Sequence, residues 1–397
     1  MLKPFSQLAL CLILLVSFGA APLTATENLR PVAGPKLSPA GEHEKERSAR
    51  LAAIEKAVEE ERQQLKVPGL SLVIVKDDQI ALMKGFGLRD VEHNLTVTPD
   101  TLFVMGSCTK AFTAMALVMS QDEGKLSLDD SPKKFLPYFK LVDPEADANV
   151  TLRDLLCHRT GLGYEGESIW SNRERNPEET IKAAMLAKPT AKFRKKFQYN
   201  NVMFTAAGEA MAKAQNSTWE EVISNRIFGP LRMTASATSA TMLPQASDFS
   251  FGYLAGGTTQ KVAIPDMPSL APAGAINSNA RDLGNWLRLM LGGGVFEGRR
   301  LVSERGFKEL VSKHIQLVGG WVGLLVRGRY HYGLGWQIEE RGSRQFIYHV
   351  GGIDGFTSLV YVVPDRNLGF AVLCNVFDNR VPMRVMKIVL SNLGASS

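Results

Sequence analysis

Leu51, Ile54, Val58 and Leu65 recur at helical spacing inside an otherwise charged stretch, 43–66. They predict an amphipathic first helix that stops at Val67-Pro68-Gly69. Two runs rich in β-formers, 70–75 and 80–86, flank Asp77-Asp78 and read as a hairpin. Residues 107–121 are apolar most of the way round, so the helix expected there is buried. Helical patterns recur over 152–158, 177–187, 202–214, 219–227, 280–291 and 303–312. Strand patterns return at 346–350, 357–363 and 368–374, and a last helix is expected over 381–393.

The order is helix, two strands, a long helical stretch, three strands, helix. Consecutive strands with short links at both ends imply an antiparallel sheet. The fold class is therefore α+β (an α/β sandwich), with five or more strands flanked by the N- and C-terminal helices. The middle, about 108–320, contains an inserted helical lobe, and a cleft between lobe and sheet is the natural place for a site.

Residues 8–21 are almost wholly apolar but only 14 long, too short to span a bilayer. With Lys3 ahead and Ala20, Ala21 and Ala25 behind, they fit a signal peptide over 1–26. Residues 27–43, with Pro31, Pro35 and Pro39, read as a flexible linker, and 44–397 as the folded domain. The expectation is an exported protein, periplasmic or secreted, with no stable membrane span after cleavage. Composition leaves that picture intact: of 397 residues 45% are hydrophobic, and 46 basic residues oppose 40 acidic ones. The excess of +6 is too small to argue for nucleic acid. Four cysteines, with no CxxC pair and no Cys/His cluster, imply neither a metal site nor a disulfide framework.

The candidate chemistry starts at Ser107-Cys108-Thr109-Lys110. On a helix, positions i and i+3 share a face. Burial disfavours the charged form of an amine, and a neutral amine beside a hydroxyl can act as its base. A capping serine and a lysine whose amine reaches water would show the same four residues. A second Ser-x-x-Lys, Ser131-Pro132-Lys133-Lys134, lies in a polar link. HExxH, a Walker loop and GxSxG are absent from the chain.

Together with Tyr199-Asn200-Asn201 and His349-Val350-Gly351-Gly352, taken in that order, the sequence resembles the serine β-lactamase and penicillin-binding group, in its class C-like branch. The stretches 151–162, 228–233, 274–282 and 332–337 add to the likeness, which covers roughly 50–395. The resemblance implies a serine hydrolase that forms an acyl-enzyme and opens an amide, ester or β-lactam bond without metal or other cofactor. Ser107 would be the nucleophile, with Lys110 and Tyr199 sharing the base role. Asn201, His349, Gly351 and Gly352 would bind substrate, the Gly352 and Ser107 amides forming an oxyanion hole. The partner would be a small molecule or a peptidoglycan peptide. Another His-x-Gly, His331-Tyr332-Gly333, competes for the third motif; His349 is preferred because a glycine pair and further strands surround it. The chain departs from the commoner Lys-Thr-Gly by carrying histidine, mostly neutral near pH 7 where lysine is a cation. That departure leaves a D,D-peptidase and an esterase open beside a lactamase. A catalytically silent binding module is the alternative from another class.

Overall fold

The computed structural model describes residues 40–163, 176–256, 260–264, 266–317 and 329–394. The expected signal peptide, and the linker up to residue 39, lie outside these. Five helices frame the molecule: α1 (Ala40–Gln64), α2 (Thr109–Asp122), α3 (Asn201–Gln215), α4 (Ala280–Leu291) and α5 (Arg380–Asn392). The main sheet has nine strands: β1 (Gly69–Lys76), β2 (Gln79–Asp90), β3 (Leu95–Thr96), β4 (Ile315–Gln316), β5 (Arg329–Tyr332), β6 (Gln337–Arg341), β7 (Arg344–Ile353), β8 (Phe356–Val363) and β9 (Leu368–Cys374).

Their order is β4-β5-β6-β7-β8-β9-β1-β2-β3, antiparallel throughout. The sheet thus joins the two ends of the chain, with Leu70 opposite Cys374. Asp77 and Asp78 both have positive φ, 53° and 59°, between the paired Lys76 and Gln79. That is a two-residue turn whose twist matches the flanking strands.

Both faces of the central strands are buried, so β1, β8 and β9 read as continuous apolar runs. Leu70, Leu72 and Ile74 face Ile54 and Val58 of α1 and Val385 and Val389 of α5. Val73 and Val75 face the other way, into a core shared with Leu283, Trp286 and Leu287 of α4 and with the lobe. Gly284 brings α4 down onto the sheet, since a Cβ there would stand 2.7 Å from Ile80 Cδ1.

The lobe packs α2, α3 and the short helices Leu152–Leu156, Pro177–Ala184 and Trp219–Ile223 around one apolar core. Trp219 Nε1 ties the short helices to α2 by donating to Thr113 Oγ1 at 3.0 Å. Within the stretch 108–320, α4 lies on the sheet and β4 belongs to it. The sequence pattern did not announce β3, β4, β5 or β6. These strands are short, and Arg329, His331, Glu339 and Glu340 interrupt any alternation.

Candidate active site

Ser107 sits in a single 3₁₀ turn, Gly106–Cys108, that leads into α2. Gly106 has φ +52°, a conformation glycine adopts without the Cβ penalty. The turn is pinned from behind: Met105 N donates to Ile276 O at 2.8 Å, and Ile276 N donates to Thr109 Oγ1 at 3.1 Å. Lys110 follows one turn later on the same face, fully buried. Its Nζ donates to Asn201 Oδ1 at 2.7 Å and to Ala273 O at 2.9 Å, and lies 3.1 Å from Ser107 Oγ. Toward Ser107 the nitrogen presents an N–H as ammonium and a lone pair as amine.

Tyr199 reaches the same hydroxyl from the lobe, its O–H donating to Ser107 Oγ at 2.8 Å. It stands just before α3 because Asn200 caps that helix. Asn200 Oδ1 accepts from Met203 N, and Nδ2 donates to Gly163 O at 2.8 Å. Asn201 then starts α3, which aims its amide at Lys110. Lys110 Nζ also lies 4.8 Å from the Tyr199 ring centre. Beneath Tyr199 is His158, fully buried, with ring centres 4.4 Å apart and tilted 36°. His158 Nδ1 accepts the Asn200 N–H at 3.1 Å, so Nε2 carries the proton. Burial first, then the Lys110 charge, hold its pKa well below the ordinary histidine value.

β7 closes the site from the sheet side. A Cβ on Gly351 would stand 1.9 Å from Met105 O, and one on Gly106 would stand 3.0 Å from Gly352 N. The two backbones are therefore in contact, which only glycines at 106 and 351 permit. Ser358 Oγ donates to Met105 O at 2.6 Å and Cys108 Sγ donates to His349 O at 3.1 Å, fastening them. Burial pushes the Cys108 thiol up to about 12, so it packs as a neutral group.

His349 arrives at the expected place but with its ring engaged. Its Nδ1–H donates to Val350 O at 2.8 Å, and Nε2 accepts from the Tyr332 O–H at 2.9 Å. The residue is 1% exposed, so its ring nitrogens meet protein partners and not the cleft. Burial, with Lys110 adding, lowers its pKa to about 3.

The structure thus brings together Ser107, Lys110, Tyr199, Asn201, Gly351 and Gly352, while the His349 side chain, expected to bind substrate, is turned to Tyr332 and Val350 and away from the cleft. It separates the competing motifs. Ser131 caps the short turn Pro132–Lys134, and Lys134 pairs with Asp130 at 2.9 Å. His331 lies on β5, two strands from β7. Sequence reasoning missed His158, Tyr332 and the Ala273 carbonyl. The first two fall in the family-like stretches 151–162 and 332–337. No spacing rule singles out one histidine or tyrosine there, and a backbone carbonyl leaves no sequence mark.

Residues 54–392 match the family model described as Beta-lactamase. Protein flp of Staphylococcus aureus (strain N315) is 26% identical over 335 residues, which cover 84% of this chain and 64% of that protein. The chain therefore spans less than two thirds of that relative's length. Unguisins hydrolase ungD' of Aspergillus campestris is 27% identical over 326 residues, covering 77% of this chain and 58% of that protein. Among solved structures, the octameric penicillin-binding protein homologue from Pyrococcus abyssi is similar at a TM-score of 0.76 and 27% identity. That match covers 87% of this chain and 77% of that one.

Proposed function

Because the chain belongs to the Beta-lactamase family, we propose that it is an exported serine hydrolase that forms an acyl-enzyme at Ser107 and cleaves an amide, ester or β-lactam bond. The observation that carries this reading is the meeting at Ser107 Oγ of a buried amine at 3.1 Å and a phenol at 2.8 Å. Two distant stretches of chain contribute to it, 107–110 and Tyr199, and a serine that merely capped α2 would need neither partner.

In the proposed reaction Ser107 Oγ attacks the substrate carbonyl while its proton passes to Lys110 Nζ or Tyr199 Oη. The carbonyl oxygen becomes an anion between the Ser107 and Gly352 amides, and the contact of β7 with the serine turn supports that pairing. The proton returns to the leaving group as the bond to it breaks. Water then attacks the acyl-serine, releasing the acid and restoring the hydroxyl. Asn201 keeps Lys110 aimed at Ser107 throughout.

Ser107→Ala tests the proposal. Hydrolysis of an activated short-chain ester is expected to fall by about a thousandfold or more, and labelling of the protein by a fluorophosphonate to disappear. Unchanged turnover and labelling would refute it. A panel of a cephalosporin, a D-Ala-D-Ala peptide and a short-chain ester then identifies the bond. Absence of any covalent adduct by mass spectrometry would leave a silent binding module on the same fold.

A further inference from the structure

His158 lies just past the short helix Leu152–Leu156, and two of its features disfavour the folded state. Its backbone has φ +57°, the left-handed region that a residue with a Cβ seldom occupies. Its ring is fully buried. Once Nδ1 has accepted the Asn200 N–H, the remaining Nε2–H meets no hydrogen-bond partner among the described residues. A glycine would remove the first cost and an apolar ring the second. Strain and an unpaired buried donor at one residue point to a role other than packing.

The surroundings connect that role to Tyr199. His158 O accepts the Gln198 N–H at 2.8 Å and Nδ1 accepts the Asn200 N–H at 3.1 Å, so the residues on either side of Tyr199 are bonded to this one histidine. Between the two bonds the imidazole lies against the phenol, ring centres 4.4 Å apart. Phe197 meets the imidazole edge to face at 87°. The histidine is itself held in place. Fully buried Asp154 pairs with Arg159 and Arg194, and Arg194 N donates to Arg159 O at 2.8 Å. The Tyr199 hydroxyl stands 2.8 Å from Ser107 Oγ, and a displacement of about 1 Å would remove most of its part in proton transfer.

We infer that His158 is a positioning residue that acts through Tyr199. Its carbonyl and Nδ1 bracket the tyrosine and its ring supports the phenol, so proton transfer at Ser107 depends on a side chain one layer behind the nucleophile. The inference rests on the acyl-serine reading above. The acceptor at Nδ1 is the part that a phenyl ring lacks.

Two variants separate acceptor from ring. His158→Asn offers an oxygen near the place of Nδ1 and tolerates the left-handed backbone, whereas His158→Phe keeps a ring and loses the acceptor. With an activated short-chain ester, His158→Phe is expected to lower kcat by about tenfold or more with KM within about twofold, and His158→Asn to stay within about threefold of the wild type. Made on Tyr199→Phe, the same His158→Phe change is expected to cost less than about twofold, because no hydroxyl remains to be positioned. Should His158→Phe fail to fold, His158→Leu, which has the shape of asparagine without its acceptor, takes its place. A loss of equal size with and without the Tyr199 hydroxyl would overturn the inference, and so would a Tyr199→Phe variant as fast as the wild type. Turnover that survives Ser107→Ala would instead remove the reading on which the inference rests.

Discussion

His158 and His349 carry no charge in the folded protein, and this has a consequence for stability. Each is fully buried with its pKa lowered, His349 to about 3. An unfolded chain titrates histidine near 6.5. Between those values the unfolded chain binds protons that the folded one refuses, so stability rises with pH. It is fully present above about 6.5 and drains away as pH falls toward the folded value, by about 1.4 kcal/mol per unit for each such histidine. Carboxylates also titrate toward the lower end of this range, but they do so alike in the wild type and in a His349 variant, so the comparison isolates the histidine. Replacing His349 by Gln keeps an acceptor for the Tyr332 O–H and removes the titration. Between pH 4.5 and 6.5 the thermal midpoint of His349→Gln is expected to fall less steeply than that of the wild type. Parallel curves would show that His349 takes up a proton in the folded state.

One element, β7, joins the sheet to the chemistry, and it does so through two small residues. Its pairing with β8 sets Gly351 opposite Ser358, whose hydroxyl bonds Met105 O. A Cβ at 351 would overlap Met105 O at 1.9 Å and Ser358 Oγ at 2.4 Å, both fixed groups. Gly351→Ala must push β7 off the serine turn. It is expected to cost about 2 kcal/mol or more in stability and to lower ester turnover by about a hundredfold, as loss of one oxyanion donor does. A variant with wild-type kcat would show that the strand contact is not part of the site. The Gly351-Gly352 pair was visible in the sequence, as were the hairpin at Asp77-Asp78 and the buried helix after Ser107. Each depends on local spacing or on an apolar run long enough to have a period. What stayed hidden depends on contacts across the chain. The burial of the His349 ring against Tyr332 depends on a residue of another strand. The place of His158 under Tyr199 is set by the Asn200 amide. β5 and β6 carry too many charged and aromatic side chains to alternate. The helical pattern at 280–291 was clear, but nothing local says that α4 lies on the sheet.

The two ends of the chain meet in the middle of the sheet, and this couples the site to distant parts of the fold. β1 pairs with β9 across about 300 residues, so the sheet is incomplete until the C-terminal strands arrive. The apolar core on one face is continuous from Val73 and Val360 of the sheet through Phe112 of α2 to Phe204 and Met211 of α3. The other face is sealed by α1 and α5 through Ile54, Val58, Val385 and Val389. Ser107 and Lys110 are anchored in the first core, while β7 carries Gly352 within a sheet that needs both. Lobe and sheet should therefore melt as one unit, although the lobe is large enough to suggest otherwise. Val385→Asp, far from the serine, buries a carboxylate in the second core and is expected to cost about 3 kcal/mol or more. Loss of fluorophosphonate labelling at Ser107 and loss of far-ultraviolet circular dichroism should share one midpoint in the wild type. The variant should move both by the same amount. Labelling lost several degrees before the backbone signal would mean that the lobe opens alone, and that the site borrows its rigidity from local contacts and not from the whole molecule.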